Sequence, residues 1–364
     1  MTPTSSETPT TYRVSAAELA RVAAACLEGA GLSPQHAALV TEGLVEAELR
    51  GQGSHGVSRL LDIYIQRLSA RATNPQPDIQ IVARHGGTAV VDGDNGPGQV
   101  VGRFAMDLAI ELAREHGLGA VAARHSNHYG AAAYYLNAAA EKGLIGISTT
   151  NAPPNMPPWG GRKPYLGTNP LAIAVPAGKY GAILLDMATS VVAKGKIQLM
   201  AKEGQTTMPP GWALDAEGRD TQSIDAALQG GMMLPVGGPK GYGLAVMVEI
   251  LSAMLSGADF GPHLGNMYTQ FDRPQNIGHF FAAIDVSGFL PMEAFTARIE
   301  GFIEELRAVP RREGVAAILM PGEIEARCAE RYRREGVPIE APVLAEISRL
   351  AERFGVRPPQ PLAE

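Results

Sequence analysis

The feature that most constrains the fold is that the spacing of apolar residues changes twice along the chain. From Ser15 to about Ser69 apolar residues recur at helical intervals, and a break rich in proline follows at residues 74–77. Short runs of β-type composition then alternate with helical runs until about Met292, after which the spacing is mostly helical again. Strands that alternate with helices are typical of α/β proteins. We therefore predict a central α/β (α+β) domain with a mixed sheet at residues 76–291.

The flanking segments, residues 13–75 and 292–364, are predicted to come together as a second, discontinuous helical domain. Ser15 and Glu18 have the spacing of a capping box and mark the start of the first helix. Residues 1–12 form a tail rich in Ser, Thr and Pro, without the positive and apolar regions of a secretion signal. Such a terminal segment is predicted to be disordered.

The same periodicity predicts individual elements. A helix is expected at Val57–Ser69, before the proline-rich break. In the central domain, strands are expected at Thr88–Asp92, Ala120–Ala123, Leu144–Thr149, Leu171–Val175, Ala182–Leu185 and Phe280–Ile284, and helices at Gln99–His116, Ala131–Lys142 and Gly243–Leu255. Loops that follow such elements commonly carry functional residues.

Composition argues against some classes of partner. The formal net charge of −6 offers no basic face for a phosphate backbone, so a nucleic acid is not expected as a partner. The longest apolar stretch, Leu244 to Leu255, is too short to span a bilayer, which needs about 20 residues, so no membrane association is expected. Cys26 and Cys328 are the 2 cysteines, and they have no C-x-x-C spacing, which favours a cytoplasmic location.

The first cluster with catalytic potential is Ser54-His55-Gly56 with Arg59. It lies where one predicted helix ends and the next begins, so backbone N–H groups, a hydroxyl, an imidazole and a guanidinium lie within about one helical turn. An arginine fork suits the carboxylate of a substrate. Taken alone, the same residues also fit a capped helix with a surface arginine.

The second cluster, residues 124–130, reads Arg-His-Ser-Asn-His-Tyr-Gly and follows a predicted strand. His125 and His128 are of a type that titrates near neutral pH, and the end of a strand is a rigid place for an acid/base group. Two histidines three residues apart could instead bind a metal, although the neighbouring sequence offers no third Cys, Asp or Glu ligand. His125 could also cap the following helix.

Two glycine-rich segments could bring backbone close to a phosphate. Residues 155–170 contain two short Gly-rich turns, and residues 237–243 read Gly-Gly-Pro-Lys-Gly-Tyr-Gly, with Lys240 before a helix. Neither segment has the G-x-G-x-x-G order of a Rossmann domain or the ending of a P-loop. Between them, Asp186 stands where a predicted strand ends. Each segment alone also fits an ordinary turn.

In this order along the chain, the blocks resemble the malate/L-lactate dehydrogenase family of the second type. That family includes sulfolactate and ureidoglycolate dehydrogenases and reductases of cyclic imino acids. The matching blocks are Ser54-His55-Gly56 with Arg59, Gly98-Gln99, Asn127-His128-Tyr129-Gly130, Pro158-Trp159-Gly160-Gly161, Gly167-Thr168-Asn169-Pro170, Asp186-Met187-Ala188-Thr189 and Gly238-Pro239-Lys240-Gly241-Tyr242-Gly243. They extend over most of the chain, and their number and order make the resemblance specific.

The resemblance implies a nicotinamide-binding fold that is not a Rossmann fold, with NAD or NADP as the cofactor. It implies His128 as the catalytic acid/base, with His55 and Ser54 beside it, Arg59 on the substrate carboxylate and Ala152 in the substrate pocket. The implied cofactor contacts are Asp186, Met187, Ala188, Lys240, Gly241, Gly230, Gly231, Thr168 and Asn169, with a looser match near Arg312 to Gly314. A homodimer is also implied, in which the second subunit completes the active site.

The predicted activity is hydride transfer between a nicotinamide and a small 2-hydroxy or 2-oxo carboxylic acid of the malate, lactate, sulfolactate or ureidoglycolate type. A histidine with an ordinary pKa of about 6.5 can take a hydroxyl proton, or return it to a carbonyl oxygen, near neutral pH. Within the family the alternative is reduction of a cyclic imine such as piperideine- or pyrroline-2-carboxylate. More remote alternatives are a metal-dependent hydrolase or lyase built on His125 and His128, and a binding protein without catalysis. No metal site is predicted.

Overall fold

The computed structural model describes residues 10–362, which are organised around a seven-stranded sheet. The strands are β1 (Thr11–Val14), β2 (Gln80–His85), β3 (Thr88–Asp92), β4 (Leu118–Ser126), β5 (Leu144–Thr150), β6 (Leu171–Pro176), β7 (Ala182–Met187), β8 (Ala213–Leu214), β9 (Asp220–Thr221), β10 (Met232–Met233), β11 (Ile277–Asp285) and β12 (Val337–Glu340). The helices are α1 (Ala16–Gly29), α2 (Pro34–Leu49), α3 (Val57–Ser69), α4 (Gly98–His116), α5 (Ala133–Glu141), α6 (Lys194–Lys202), α7 (Ile224–Leu228), α8 (Pro239–Glu249), α9 (Met292–Ala308), α10 (Glu323–Glu335) and α11 (Ala341–Arg353). The predicted fold class, a mixed α/β chain, is confirmed.

The large sheet has the order β2-β3-β4-β11-β5-β6-β7. β3 and β4 are parallel and are joined by α4, whereas all other neighbours in this sheet are antiparallel. Apolar side chains of α4 and α5, such as Leu112 and Leu136, are buried in one cluster with Phe281 of β11. A Rossmann domain is built from parallel strands. This mostly antiparallel sheet therefore agrees with the lack of a Rossmann fingerprint in the sequence.

The N-terminal and C-terminal segments meet in the structure. β1 pairs with β12 in antiparallel register, from Thr11 opposite Glu340 to Val14 opposite Val337. Buried apolar side chains of α1, α2, α3 and α11 form one cluster. The apolar residues of α9 do not belong to it, because Ile303 is buried in a separate cluster beside β6 and β7. The domain limits at residues 13–75, 76–291 and 292–364 therefore stay a prediction.

Several predicted boundaries differ from the structure, including the end of the N-terminal tail and the start of α8. Thr11 and Tyr12, predicted as part of a disordered tail, belong to β1, because pairing with β12 supplies their backbone with partners. The rest of that tail up to residue 9 lies outside the described residues. The helix predicted from Gly243 begins earlier, at Pro239, which occupies its first turn. A π-helical turn continues it over Ile250–Met254.

A small unit between β7 and α8 positions two glycine-rich loops. β8, β9 and β10 form a three-stranded antiparallel sheet in the order β10-β8-β9, and the sequence analysis assigned no strands there. Side chains of α6, α7 and α8, including Ile197, Ile224 and Ala245, share one buried cluster with Met233 of β10. The loop at residues 230–231 enters this sheet, and the loop at 237–238 leaves it for α8. Among the described residues, no helix is both long and apolar enough to cross a membrane.

Candidate active site

His128 lies just after β4, where the chain leaves the sheet. Asn127 anchors this turn, since its Nδ2 donates to the carbonyl oxygens of Asn95 (3.0 Å) and Gly96 (2.9 Å). Gly98, at the start of α4, lies so close that a Cβ atom there would stand 2.2 Å from the Asn127 oxygen and 2.4 Å from the His128 oxygen. Only glycine therefore lets α4 approach the segment that carries His128.

Groups from other parts of the chain hold His128 in place. The Tyr64 hydroxyl of α3 lies 2.8 Å from Nδ1, and Nε2 of Gln99 donates to that hydroxyl at 3.0 Å. The backbone N–H of Gly130 donates to Nδ1 at 3.3 Å, and the N–H of His128 itself donates to Oε1 of Gln275 at 3.0 Å. Nδ1 is thus engaged inside the protein. Nε2 is the ring nitrogen left for a reacting group.

His55 stacks on His128. Their ring centroids lie 5.6 Å apart with an angle of 22° between the planes. Ser54 is next to them in space, because its Oγ lies 3.0 Å from Nδ1 of His55. The structure therefore brings the three predicted catalytic residues together between β4 and the start of α3.

A buried carboxylate supports the turn that carries Ser54 and His55. Oε1 of Glu48, in the last turn of α2, accepts a hydrogen bond of 2.6 Å from the backbone N–H of Ser58 in the first turn of α3. A Cβ atom at Gly56 would lie 2.5 Å from the carboxyl carbon of Glu48, so the turn closes over this group only with glycine there. Burial raises the pKa of Glu48, and the hydrogen bonds from Ser58 oppose the rise.

Burial keeps the two stacked imidazoles neutral. Burial, with smaller contributions from His55 and His279, lowers the pKa of His128 to about 3. The pKa of His55 is also lowered by burial. A protonated His128 therefore becomes favourable only when a negative group, such as a carboxylate or a developing alkoxide, lies beside it. This is the property expected of a group that exchanges a proton with bound substrate.

Arg59 lies one helical turn after His55 and is exposed. Its guanidinium carbon stands 5.9 Å from the centre of the Tyr268 ring. It forms no ion pair within residues 10–362. The arginine fork is therefore available for the carboxylate of a ligand next to the two histidines.

Asp186 connects the histidine region to the predicted cofactor residues. It stands at the end of β7, and its Oδ2 accepts a hydrogen bond of 3.3 Å from the N–H of Ala133 in α5, shortly after His128 in the chain. Burial raises the pKa of Asp186, and the Ala133 N–H opposes the rise. Met187 and Ala188 follow and are half-buried. An acidic residue at a strand end is suited to the hydroxyls of a ribose.

The turn at residues 167–170 is tied to this segment by its backbone. The Thr168 oxygen accepts hydrogen bonds from the N–H and the Oγ1 of Thr189 at 2.9 and 3.0 Å. Asn169 is fully buried: its Oδ1 accepts from the N–H of Ala152 at 3.2 Å, and its Nδ2 donates to Oε2 of Glu249 at 2.6 Å. The Asn169 side chain therefore has no surface left for a cofactor, which corrects the predicted contact. Contacts of Thr168 and Ala152 with ligands stay predictions.

The start of α8 adjoins the Asp186 segment, because the N–H of Val236 donates to the Thr189 oxygen at 2.8 Å. Gly237 and Gly238 have φ of 61° and 63°, a region that favours glycine. Lys240 is exposed in the first helical turn, where backbone N–H groups have no helical partner. A turn of this kind with a lysine is suited to a phosphate.

Three of the predicted glycine contacts also have a packing reason. A Cβ atom at Gly241 would lie 2.1 Å from the Val236 oxygen, and one at Gly231 would lie 2.5 Å from the Leu214 oxygen. Gly230 has φ of 86°. These glycines are therefore needed for the local backbone whether or not a cofactor touches them, and their cofactor contacts stay predictions.

A second candidate phosphate site lies beside β7. The N–H of Leu184 donates to the Pro321 oxygen at 2.9 Å, which brings the segment before α10 next to the strand that ends in Asp186. A cavity of about 540 Å³ opens there, lined by residues 307–311, 316–318 and 327, with Arg307, Arg311 and Arg327 among them. Glu323 pairs with Arg307 and Arg327. Arg312 to Gly314 are not among the lining residues, and cofactor contacts there stay a prediction.

His125 does not share a site with His128. Its Nδ1 lies 2.8 Å from Oδ2 of Asp92, and the N-cap of the following helix α5 is Ala132, with no side-chain capping bond. The alternative that His125 caps a helix is therefore wrong. Within residues 10–362, no group of three or more His, Cys, Asp or Glu side chains could hold a metal ion. The geometry thus gives no support to a metal site built on His125 and His128.

Several residues of the site carry no local sequence signal. Tyr64 contacts a histidine 64 positions further along the chain, and Gln275 contacts His128 across 147 positions. Gln99 belongs to a family block, but the sequence did not indicate its role. His279 is fully buried, with its nitrogens 2.8 Å from hydroxyls of Thr150 and Ser126. Only homologous sequences or the fold could have identified these contacts.

Comparison with known proteins identifies the family of the chain. A model of the malate/L-lactate dehydrogenase family matches residues 14–348. The chain belongs to the malate/L-lactate dehydrogenase family. It is 42% identical over 334 residues to a malate dehydrogenase of Pyrococcus abyssi, covering 90% of this chain and 91% of the relative. It is 35% identical over 310 residues to a ureidoglycolate dehydrogenase (NAD(+)) of Escherichia coli, covering 85% and 87%. It is also 35% identical over 335 residues to a (2R)-3-sulfolactate dehydrogenase (NADP(+)) of Chromohalobacter salexigens, covering 92% and 96%.

Solved structures share the fold. A sulfolactate dehydrogenase from Methanocaldococcus jannaschii superposes with a TM-score of 0.89 at 37% identity, covering 95% of this chain and 98% of the other. A delta1-piperideine-2-carboxylate reductase from Pseudomonas syringae superposes with a TM-score of 0.84 at 30% identity, covering 93% and 99%. The predicted family is therefore confirmed. The predicted enzyme class, a 2-hydroxy acid dehydrogenase that uses NAD or NADP, is confirmed at the level of the family.

Proposed function

We propose that the chain transfers a hydride between NAD(P) and a small 2-hydroxy or 2-oxo carboxylic acid, with His128 as the acid/base. One observation carries the proposal. The imidazole of His128 is held at Nδ1 by Tyr64, stacked on His55 and followed at one helical turn by an unpaired arginine. A proton-exchanging group and a carboxylate-binding group thus stand side by side, as oxidation of a hydroxy acid requires.

Each group of the site has its own role in the proposed hydride transfer. Nicotinamide, when bound, accepts or supplies the hydride. Arg59 fixes the substrate carboxylate, so that the hydroxyl or carbonyl oxygen lies near Nε2 of His128. As the hydroxyl is oxidised, its proton passes to Nε2; in reduction the proton passes from Nε2 to the carbonyl oxygen. His55 stacks on the His128 ring, and Ser54 lies beside His55.

The residues of the cofactor region fit a dinucleotide. The second carboxylate oxygen of Asp186 can accept from ribose hydroxyls, and Met187 and Ala188 offer half-buried backbone beside it. The turn before α8, with Lys240, and the arginine-lined cavity provide positive charge for phosphates. The turn before α8 adjoins the Asp186 segment, whereas Ile318 of the cavity packs with Ile183 in the first half of the same strand. Gly241 allows the close backbone turn before α8.

The proposal includes a homodimer in which the partner covers the face of α8. Its exposed apolar side chains recur at one face of the helix and its π-helical extension: Leu244 (41%), Met247 (52%), Ile250 (43%), Met254 (49%) and Leu255 (55%). An exposed apolar stripe of this kind is typical of an interaction surface. Lys240 stands at the start of the same helix. A partner on this face would therefore reach the cofactor region and help to complete the site.

A cytoplasmic location is proposed as well. Cys26 is buried and Cys328 half-buried, and both are free thiols. Burial raises the pKa of the Cys26 thiol to about 11, which keeps it protonated and unreactive. Free thiols of this kind suit a reducing compartment.

Reduction of a cyclic imine is the second candidate function. It is favoured by the likeness to a piperideine-2-carboxylate reductase reported above, and by the site itself, since an imine nitrogen could receive the proton from Nε2 while Arg59 binds the ring carboxylate.

A substrate panel tests the proposed function. Purified protein is mixed with pyruvate, oxaloacetate, sulfopyruvate or piperideine-2-carboxylate, each with NADH and then NADPH, and consumption of the reduced nicotinamide is recorded. The proposal predicts turnover of at least one 2-oxo acid in preference to the imine. Preference for the imine would establish the second candidate, and no turnover of any compound, despite nicotinamide binding, would contradict both.

A further inference from the structure

We propose that Tyr64 and Gln99 form a two-position relay that sets which ring nitrogen of His128 carries its hydrogen. The relay itself is inferred from hydrogen-bond geometry, whereas its role in catalysis rests on the proposed function. Tyr64 and Gln99 are positioning residues in this account, since they act on the substrate only through His128.

The hydrogen bonds of the structure define the first position. Nε2 of Gln99 donates to the Tyr64 oxygen at 3.0 Å, so the Tyr64 hydroxyl has its own hydrogen free to donate to Nδ1 of His128 at 2.8 Å. The N–H of Gly130 also points to Nδ1, at 3.3 Å. Because Nδ1 accepts from both groups, the neutral imidazole carries its hydrogen on Nε2. In this position Nε2 has no lone pair for a substrate proton.

An unpartnered atom points to the second position. Oε1 of Gln99 is buried and has no hydrogen-bond partner. A half-turn of the carboxamide exchanges its nitrogen and oxygen, after which Oε1 can accept from the Tyr64 hydroxyl. The Tyr64 oxygen is then an acceptor for a hydrogen on Nδ1. A cavity of about 20 Å³, lined by Tyr64, Gln99, Arg67 and His128 among others, borders the groups that turn.

The second position is the one that permits catalysis. With its hydrogen on Nδ1, neutral His128 has the Nε2 lone pair that takes the substrate hydroxyl proton, and the resulting imidazolium still donates from Nδ1 to Tyr64. In reduction the imidazolium gives its Nε2 proton to the carbonyl oxygen, and the neutral form with its hydrogen on Nδ1 is left. Tyr64 and Gln99 gain or lose no proton in either direction. The titratable and charged groups that face His128 are His55, Tyr64, Arg67 and His279.

Nitrogen NMR of the labelled imidazoles tests the relay without substrate. His128 is assigned by the signals lost in His128→Gln, and spectra are recorded above pH 7, where His128 is neutral. In the unsubstituted protein we expect the Nε2–H tautomer to exceed the Nδ1–H tautomer by roughly fivefold or more. Gln99→Glu should reverse this ratio, because a carboxylate only accepts and the Tyr64 hydroxyl then turns toward it. Tyr64→Phe should lower this ratio but keep the Nε2–H majority, because the Gly130 N–H still points to Nδ1 and the Nδ1–H form has lost its acceptor.

Tyr134→Phe is the matched control. This tyrosine is also largely buried, but its hydroxyl donates to Oε2 of Glu42 at 2.9 Å. The His128 tautomer ratio should not change in this variant. If Gln99→Glu does not fold, Gln99→Met supplies the test: it should keep the Nε2–H majority and lower kcat about tenfold or more, because the second position is lost.

The kinetic expectation separates positioning from a structural role. Tyr64→Phe should lower kcat about tenfold to a hundredfold while KM for the 2-oxo acid stays within about twofold. A majority of Nδ1–H in the unsubstituted protein, or no change of ratio in folded Gln99→Glu, would overturn the relay. Since the tautomers are measured without substrate, a failure of the proposed dehydrogenase activity leaves this result interpretable on its own.

Discussion

At the scale of single residues, the proposed chemistry depends on an imidazole whose Nδ1 is hydrogen-bonded inside the protein and whose Nε2 is left for substrate. Tyr64 and Gly130 engage Nδ1 of His128, and burial lowers the pKa of His128 to about 3. The unpaired Arg59 stands one turn beyond His55. Neutral histidines next to a free guanidinium make the site ready for an anionic substrate, since the arginine supplies the charge that the histidines lack.

Replacing Arg59 tests its role in carboxylate binding. Arg59→Met should raise KM for the 2-oxo acid about tenfold to a hundredfold, the range expected when a charge-assisted hydrogen bond is lost. Steady-state kinetics provide the measurement. Arg349→Met, an exposed arginine of α11 that bonds only to the Ala345 oxygen, is the control and should leave KM unchanged. An unchanged KM in Arg59→Met would remove Arg59 from the substrate site.

His279 makes stability depend on pH. Its pKa is lowered by burial to about 3, from an ordinary value near 6.5, so the unfolded chain binds more protons than the folded chain between these values. The contribution of neutral His279 to the free energy of unfolding is fully present above about pH 6.5. It is lost as the pH falls, by up to about 1.4 kcal/mol per pH unit. Urea unfolding at about pH 7.5, 6 and 5 should therefore show a shallower loss of unfolding free energy in His279→Gln than in the unsubstituted protein. Equal slopes would mean that His279 is charged in the folded state.

At the scale of elements, the turn between α2 and α3 is the part that presents Ser54 and His55. Glu48 caps α3 from the preceding helix, and Gly56 lets the chain close over its carboxylate. This arrangement fixes the direction of α3, which carries Arg59 and Tyr64 as well. The positions of four site residues therefore depend on the buried carboxylate of Glu48: Ser54, His55, Arg59 and Tyr64.

Removing that carboxylate should weaken the turn. Glu48→Ala is expected to lower the free energy of unfolding by about 1–3 kcal/mol, because the Ser58 N–H loses its partner in a buried place. Urea denaturation measures the change. Gln35→Ala, an exposed position on the same helix, should cost less than about 1 kcal/mol. Similar losses in the two variants would show that Glu48 has no special role in the turn.

Sequence periodicity was sufficient for the elements with regular burial. The prediction for β3, Thr88–Asp92, and that for α3, Val57–Ser69, match the structure, because each has a regular apolar spacing and a clear break after it. β2 was missed since its residues are all exposed and give no alternation. The two-residue strands β8, β9 and β10 are too short for any periodic signal.

The candidate site was predictable only where its residues are close in sequence. Ser54, His55 and Arg59 could be grouped because they lie within one turn of chain. The contact of Tyr64 with His128 depends on the packing of α3 against the end of β4, which no local pattern encodes. A cofactor contact was predicted for Asn169 because its sequence block is compatible with a ligand-binding turn. In the structure its side-chain amide instead joins Ala152 to Glu249.

At the scale of the whole molecule, the described chain presents a surface that a single copy does not cover. The stripe from Leu244 to Leu255 is exposed and apolar, and it begins beside Lys240 in the cofactor region. The proposed dimer would bury this stripe and bring the second subunit to the site.

Charges placed on the stripe test the dimer. Met247→Glu combined with Ile250→Glu should convert the dimer to monomers, because two carboxylates would have to be buried in the interface. Light scattering after size-exclusion chromatography gives the mass. Phe289→Glu, at a position that is 79% exposed away from α8, is the control and should leave the dimer intact. A dimer that persists in the double variant would place the interface elsewhere.

The most direct test of the central claim is the effect of His128→Gln on single-turnover oxidation of bound NADH or NADPH by the preferred 2-oxo acid. If His128 is the acid/base, the rate should be about 10²- to 10⁴-fold lower than in the unsubstituted protein. Nicotinamide binding, followed by fluorescence, should be unchanged. His125→Gln, which removes a neighbouring histidine paired with Asp92, should leave the rate within about twofold. A rate in His128→Gln equal to that of the unsubstituted protein would show that His128 is not the acid/base.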